Sequence, residues 1–523
     1  MKNWRENLVF IFILILTVVL ISRLFFLQII KGNYYKALSF GMHTSLVEEG
    51  IRRGEIFFAG GEPLATNREN FFVFAIPNKI TEKEKTAQML SEALNLEKIS
   101  ILKTLKKDNN FAIIKENLTD EEIERLKKLN LSNVFIDVKI ERFYPQKELA
   151  SKIVGFVDVD GNGRYGLEGF YDSLLKKGEN LFLTLDYRLQ YFAERLLEKA
   201  YERFNIEGGQ IIVAEPNSCK ILAFANFPNF DPNRYKEFSK NLEVFKNPGT
   251  QNLFEPGSVL KPITIAIGLE EGKISTETTY RDPGEIKIDG WVIRNYMNRV
   301  YSGEISMTEV LEKSINTGAV FVQSKIEGGT FLNYLKSFGF FEKSGIDLPE
   351  SFSENLELRK KRPINLATAS FGQGIAITPV QLLRAYCTIA NGGILVSPYL
   401  VEKFKKEGSK VILSKNTIFQ LNSMLVSVVE NGFSKKAKIP GYYIGGKTGT
   451  AQQPNVNFKG YSDKTWQTFV GYLPAFNPQI VILVKLDNPN TKTAEYSALP
   501  IFREMAEYII RVYQIVPDYP IPD

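Results

Sequence analysis

The chain has 523 residues, 44% apolar and 12% aromatic, and its 65 Lys+Arg against 59 Asp+Glu leave a net charge of +6. At roughly 150 residues per domain this makes two or three units, each able to bury a core, and it disfavours both disorder and a polytopic membrane chain. Lys and Glu are intermixed, which argues against a nucleic-acid partner. Two cysteines, Cys219 and Cys387, exclude a disulfide scaffold and a Cys-rich metal site and are expected to be unpaired, while a lone histidine, His43, leaves little room for a His-dependent triad or a zinc site.

From Leu8 an apolar run reaches Ser22 and, after Arg23, continues to Ile30. About 20 apolar residues cross a bilayer, so residues 7–30 are read as one membrane span, with Arg23 reaching the interface on its long stem. No small-x-small cleavage site follows, which favours a retained anchor over a removed signal peptide. Lys2 and Arg5 place residues 1–6 in the cytoplasm and everything beyond the span outside, an asymmetry reduced by Lys31 and Lys36.

Residues 31–180 alternate strand-like runs at 71–76 and 134–138 with Lys/Glu-rich amphipathic helices over 81–96 and 119–129, whose charges read as solvated faces. Five glycines between Gly155 and Gly169 read as a loop region before a second unit, 181–515, and a short tail, 516–523. In that unit the periodicity predicts helices at 187–203, 258–271, 306–313, 317–326, 378–391 and 499–514, with strands at 209–214, 220–226, 442–450, 465–473 and 479–486. The expected class is α+β: an antiparallel sheet backed by helices, plus a helical cluster.

Ser-x-x-Lys occurs at Ser100/Lys103, Ser173/Lys176 and Ser258/Lys261. The first two fall in Lys-rich, solvated sequence. The third follows Pro256-Gly257 and opens an apolar helix with no other charge before Glu270. Residues three apart share a helix face, which sets the Lys261 amine beside the Ser258 hydroxyl. Pro262 is tolerated in a first turn. The helix N-terminus and burial both push the lysine toward its neutral form, which can take the serine proton. A proton relay and a holder for substrate backbone are then needed, and Ser314-Ile-Asn316 offers both. Ser-x-Asn also occurs at Ser239, Ser353 and Ser414, where a helix cap is the plain alternative, so this triplet gains weight only by its order in the chain. The third element, Lys447-Thr448-Gly449-Thr450, is the chain's one Lys-Thr-Gly and sits on a glycine-bearing edge strand along which a peptide can lie. Lys447 adds charge, the Thr448 and Thr450 hydroxyls suit a carboxylate, and the Ser258 and Thr450 amides suit an oxyanion hole.

Ser-x-x-Lys, Ser-x-Asn and Lys-Thr-Gly in this order resemble the penicillin-binding proteins and serine β-lactamases. Nearly end to end, the chain resembles the class B penicillin-binding proteins. Arg53-Gly-Glu-Ile56, Pro63-Leu-Ala65, Arg142-Phe-Tyr-Pro145, Gly166-Leu-Glu-Gly169, Leu183-Thr-Leu-Asp186, Gly372-Gln-Gly-Ile375, Thr378-Pro-Val-Gln381 and Ala390-Asn-Gly-Gly393 look like that family's landmarks. The chain departs from the pattern at Phe58-Ala-Gly-Gly61, where the family usually has Asp-Arg-x-Gly, and at Ile315, where many β-lactamases have Asp.

The resemblance implies an elongated pedestal of the dimerisation type over 31–180, carrying a transpeptidase domain over 181–515. It further implies a serine acyl-enzyme formed at Ser258 on D-Ala-D-Ala donor stems and passed to an acceptor amine, with Lys261 as base, Ser314 and Lys447 aiding proton transfer, Asn316 fixing the acyl chain and Thr448, Gly449 and Thr450 binding substrate. No metal or organic cofactor is called for, and β-lactams are expected to acylate Ser258. Expected partners are the two stem peptides, the membrane, a polytopic glycosyltransferase and other division proteins. The Phe254-Glu-Pro-Gly run and Thr450-Ala-Gln452 look more like the division or sporulation type than the elongation type. The alternatives are an elongation enzyme, a β-lactamase or carboxypeptidase, which the anchor and pedestal disfavour, and a silent scaffold or β-lactam sensor, which the intact Ser-Lys-Ser-Lys set disfavours.

Overall fold

A computed structural model describes residues 4–30, 52–405, 408–455 and 460–520; His43, Lys31 and Lys36 lie outside them. The apolar N-terminus forms a helix, Trp4–Phe25, continued by a wider turn over Phe26–Ile30. Among the described residues Phe10–Gln28 is the one helix long and apolar enough to cross a membrane, by length and composition. Its large side chains, Phe10 to Leu24, are half or more exposed and meet no protein core, as a helix solvated by lipid requires.

Beyond it the chain forms two compact units. One is built on residues 66–143 and the other on 54–65, 144–158 and 162–520, so several stretches that sequence assigns to the first unit pack within the second. In the first unit the strand segment 66–75 pairs antiparallel with Val134–Phe143 and, over Val73–Ala75, with Ala112–Lys115. The helices Lys83–Leu94, Lys98–Leu105 and Asp120–Leu129 bury Leu90, Leu94, Ile101, Leu105, Ile123 and Leu126 in the same core as Val73 and Ala75. Thr119 and Glu122 close a reciprocal capping box at the start of the third helix, satisfying two amides that otherwise lack partners.

The second unit is organised on a five-stranded antiparallel sheet. Its strands are β1 (Gly208–Glu215), β2 (Lys220–Phe227), β3 (Gly445–Pro454), β4 (Tyr461–Leu473) and β5 (Ile480–Asp487), in the spatial order β3-β4-β5-β1-β2. Both faces are covered. On β5, Ile480, Ile482, Val484 and Leu486 belong to one core with helices Tyr187–Phe204 and Ala498–Tyr513, whereas Val481 and Leu483 belong to the other with Leu382, Leu383 and Tyr386 of helix Pro379–Ala390. Alternate residues of a strand point to opposite faces, so a strand buried on both sides is apolar on both, as this one is from Ile480 to Val484 and at Leu486; the buried Lys485 donates to Gln210 and Asp487. The sixteen-residue helix Lys415–Glu430, capped by Ser414, was not expected from sequence; it packs beside β3. Cys219 and Cys387 are both free and buried.

The glycine-rich stretch 155–169 is structured rather than a loop. It holds a two-residue hairpin, 156–157 with 163–164, and the helix Gly166–Phe170. Gly155 and Gly166 take left-handed backbone, φ +77° and +44°, and a Cβ on either would lie 2.4 Å from a backbone oxygen of Tyr165 or Ile153 respectively. Only glycine fits both the dihedral and the approach. Gly166→Ala is therefore expected to lower the unfolding free energy by about 1–3 kcal/mol, measured by denaturant titration. Gly161→Ala, with nothing within 4 Å of its Cβ, should cost only the φ penalty.

Candidate active site

Three elements converge in the second unit. Residues Gly257–Leu260 form one 3-10 turn that feeds the helix Lys261–Glu270, with Pro262 in its first turn. The helix expected from Ser258 therefore begins three residues later, at Lys261, and Ser258 lies in the 3-10 turn that precedes it. The turn is locked from several sides. The Gly257 amide donates to the Gly372 carbonyl at 3.0 Å, the Tyr386 hydroxyl to the Val259 carbonyl at 2.8 Å, and the Thr264 hydroxyl to the Ser370 carbonyl at 2.8 Å. A Cβ on Gly372 would lie 2.1 Å from the Gly257 oxygen, and one on Gly449 would lie 2.9 Å from the Pro256 oxygen. Edge strand β3 can therefore pass directly alongside the Ser258 turn because position 449 has no side chain.

The second element is the bend between helix Met307–Glu312 and helix Asn316–Lys325. Ser314 sits there in left-handed backbone, φ +53°, a conformation that non-glycine residues seldom adopt. This turns both its oxygens toward Lys261. The Lys261 amine donates to the Ser314 carbonyl at 2.6 Å and to its hydroxyl at 3.2 Å. From β3, the Lys447 amine donates to the same hydroxyl at 3.0 Å and to the Thr448 carbonyl at 3.1 Å.

These two lysines are 0% and 1% exposed, and among the described residues neither appears in an ion pair. Burial, and secondarily the charge of Lys447, hold the Lys261 amine well below the ordinary lysine range; burial brings Lys447 down to about 7. A neutral amine has two N–H donors and one lone pair. Lys261 spends both donors on Ser314, which leaves the lone pair to accept a proton. Ser314 Oγ, accepting from two amines, has its lone pairs occupied and only its own hydrogen left to give.

The other candidates are placed as follows. Ser258 is half-buried, three residues before Lys261, and its hydroxyl forms no hydrogen bond to that amine among the described residues. Such contacts tighten when substrate fills a site. Thr448 and Thr450 are half-buried on one face of β3, and Thr450 Oγ1 accepts from the Ala494 amide at 3.1 Å. Asn316 heads its helix, but its side-chain amide donates to the Arg294 carbonyl at 2.9 Å and does not join the lysine pair. The competing Ser-x-x-Lys sites are surface features: Ser100, Lys103, Ser173 and Lys176 are all exposed, and Lys176 pairs with Asp172. Ser414 is a helix cap. Gly372 is a landmark in the sequence, but nothing local shows that it abuts the Ser258 turn, and the Tyr386 contact with that turn has no sequence signal.

Residues 209–507 match the penicillin binding protein transpeptidase domain, and residues 49–180 match the penicillin-binding protein dimerisation domain. The chain is a class B penicillin-binding protein. Among curated relatives it is 30% identical to stage V sporulation protein D of Bacillus subtilis, covering 93% of this chain and 82% of that one. It is 29% identical to a peptidoglycan D,D-transpeptidase FtsI homolog of Mesostigma viride, covering 96% and 94%. Among solved structures, penicillin binding protein 3 of Mycobacterium tuberculosis, complexed with aztreonam, shares the fold with a TM-score of 0.71 at 24% identity, covering 90% of this chain and 98% of that one.

In this penicillin-binding protein Lys447 gives a test of the neutral-amine state. Its folded pKa of about 7 lies below the roughly 10.4 of an unfolded lysine, so between those values the unfolded chain binds more protons and stability rises with pH. Below pH 7 both states carry the proton and the penalty is constant. Lys447→Met is expected to stabilise the fold by about 1–3 kcal/mol at pH 7, with the advantage shrinking toward pH 10. Unfolding at both pH values measures it; a pH-independent difference would sink the assignment.

Proposed function

We propose that the protein is a peptidoglycan cross-linking D,D-transpeptidase with Ser258 as nucleophile, and that β-lactams inhibit it by acylating the same serine. The observation that carries this reading is the Ser314 hydroxyl held between two buried amines beside the Ser258 turn. Ser258 Oγ attacks the penultimate D-alanine carbonyl carbon while its proton passes to the lone pair of Lys261. The developing oxyanion is received by the Ser258 and Thr450 amides. Collapse breaks the peptide C–N bond, and the leaving D-alanine amine takes a proton from Ser314, which is replenished through Lys261 and Lys447. An acceptor amine then attacks the Ser258 ester and gives its proton back along the same path, and the ester C–O bond breaks. Thr448 and Thr450 hold the donor's terminal carboxylate, Gly449 keeps the strand close enough to receive it, and Asn316 fixes the acyl chain once its amide swings from Arg294.

The reading extends to setting. Residues 1–6 lie in the cytoplasm, 7–30 span the membrane, 31–180 form the pedestal and 181–515 the extracytoplasmic transpeptidase domain, followed by the tail 516–523. The role is septal, beside a polytopic glycosyltransferase and other division proteins.

Labelling with fluorescent penicillin tests the chemistry. Wild type should be labelled, Ser258→Ala should not, and Lys261→Ala should be acylated about 10²–10⁴-fold more slowly, the span of a lost general base. An unlabelled wild type, or Lys261→Ala acylated at the wild-type rate, would refute the assignment. A fluorescently tagged chain should gather at the septum; signal confined to the sidewall would move it to the elongation role.

A further inference from the structure

Residues 279–301, which lie between the nucleophile turn and the Ser314 bend in sequence, converge on Thr317, the residue that follows Asn316. Asp282 is the centre. Its carboxylate accepts from the Thr317 hydroxyl at 2.6 Å, the Asn295 side-chain amide at 2.9 Å, the Tyr301 amide at 2.9 Å and the Gly284 amide at 3.0 Å. Asn295 completes the clamp: its side-chain oxygen accepts from the Thr317 backbone amide at 3.1 Å and its side-chain amide donates to the Arg299 carbonyl at 3.1 Å. The carbonyl just before it, that of Arg294, accepts from Asn316. Asp282, Asn295 and Thr317 are 9%, 4% and 0% exposed. Burial works to raise the Asp282 carboxyl, but the hydrogen bonds from Thr317, Tyr301, Gly284 and Asn295 hold it below the usual carboxylate range.

A buried carboxylate with four donors is a rigid object, because each bond is strengthened by the low local dielectric and none can be exchanged for water. Thr317 also lies in the first turn of helix Asn316–Lys325, where free amides welcome a negative charge. The clamp therefore fixes the start of the helix, and with it the left-handed bend at Ser314 two residues earlier.

We propose that Asp282 and Asn295 are positioning residues for the Ser314–Asn316 motif, acting through Thr317. This rests on the reading of Ser258 as the acylated serine. Loss of the clamp lets Ser314 drift from its place between Lys261 and Lys447, which slows acylation even where the fold survives.

The test is the time course of fluorescent-penicillin labelling on the full-length, detergent-solubilised protein. The amplitude counts folded sites and the rate constant reads the chemistry, so a merely structural role would lower only the amplitude. Thr317→Val keeps the shape and removes the hydroxyl; its rate constant should fall about ten- to a hundredfold, as small misplacements of reacting groups do. Thr317→Ser restores the hydroxyl and should label at a rate close to wild type. A valine variant labelled at the wild-type rate, or a serine variant as slow as the valine one, overturns the proposal. If Thr317→Val does not fold, Asp282→Asn carries the same test, and its labelling at the wild-type rate overturns the proposal equally. An unlabelled wild type would overturn the Ser258 reading itself and this one with it.

Discussion

The arrangement on which the site depends is one serine hydroxyl shared by two buried amines. Lys261 and Lys447 reach Ser314 from a helix and from an edge strand more than 180 residues apart in sequence. With no carboxylate paired to them among the described residues, desolvation decides their charge. Two ammonium groups so close would repel, which pushes Lys261 further toward its neutral form. In its neutral form Lys261 has the free lone pair that an exposed, protonated lysine lacks. The same burial works against the fold, since an unfolded lysine would be hydrated and protonated. The site thus stores instability for use in chemistry, and the doubly covered sheet around it supplies the compensating apolar burial.

Holding the three elements close is a backbone problem before it is a side-chain one. Gly257, Gly372 and Gly449 meet where the Ser258 turn, the Gly372-Gln-Gly374 segment and strand β3 come together, and at two of them a Cβ would fall inside 3 Å of a backbone oxygen. Their task is to remove volume. With the Ser258 turn pressed against the edge of β3, a donor peptide on that edge is, in the proposed reaction, already within reach of the serine, so that proximity supplies a share of the rate.

Much of this was legible in the sequence, and the reasons it was legible are physical. Lys261 stood out because a lysine in an otherwise apolar helix must be buried, which separated Ser258 from Ser100 and Ser173, both now seen on the surface. Strands 465–473 and 479–486 were readable because their apolar runs are too short for core helices and end in turn residues. Other features left no local trace. The helix Lys415–Glu430 carries helical spacing at Ile418, Leu421, Leu425 and Val428, but its β-branched residues dilute the signal. Glycines 155–169 read as loose chain because the backbone they approach lies across a hairpin. The left-handed Ser314 could not be foreseen at all, since serine has no preference for that region and is held there by its surroundings.

That last point bears on how the site tolerates change. A strained bend persists only where its neighbours over-determine it, and at Ser314 the constraints differ in kind. Lys261 holds the carbonyl, both lysines hold the hydroxyl, and the Ser314 amide closes on the Leu311 carbonyl at 3.2 Å. In the proposed reaction the lysines also carry protons, so during turnover their grip changes. A bend secured by the lysines alone would loosen at the moment when its geometry matters most. Restraint from groups that take no part in proton transfer is therefore what the site requires, and the polar cluster behind Thr317 provides it from a carboxylate already satisfied on both oxygens.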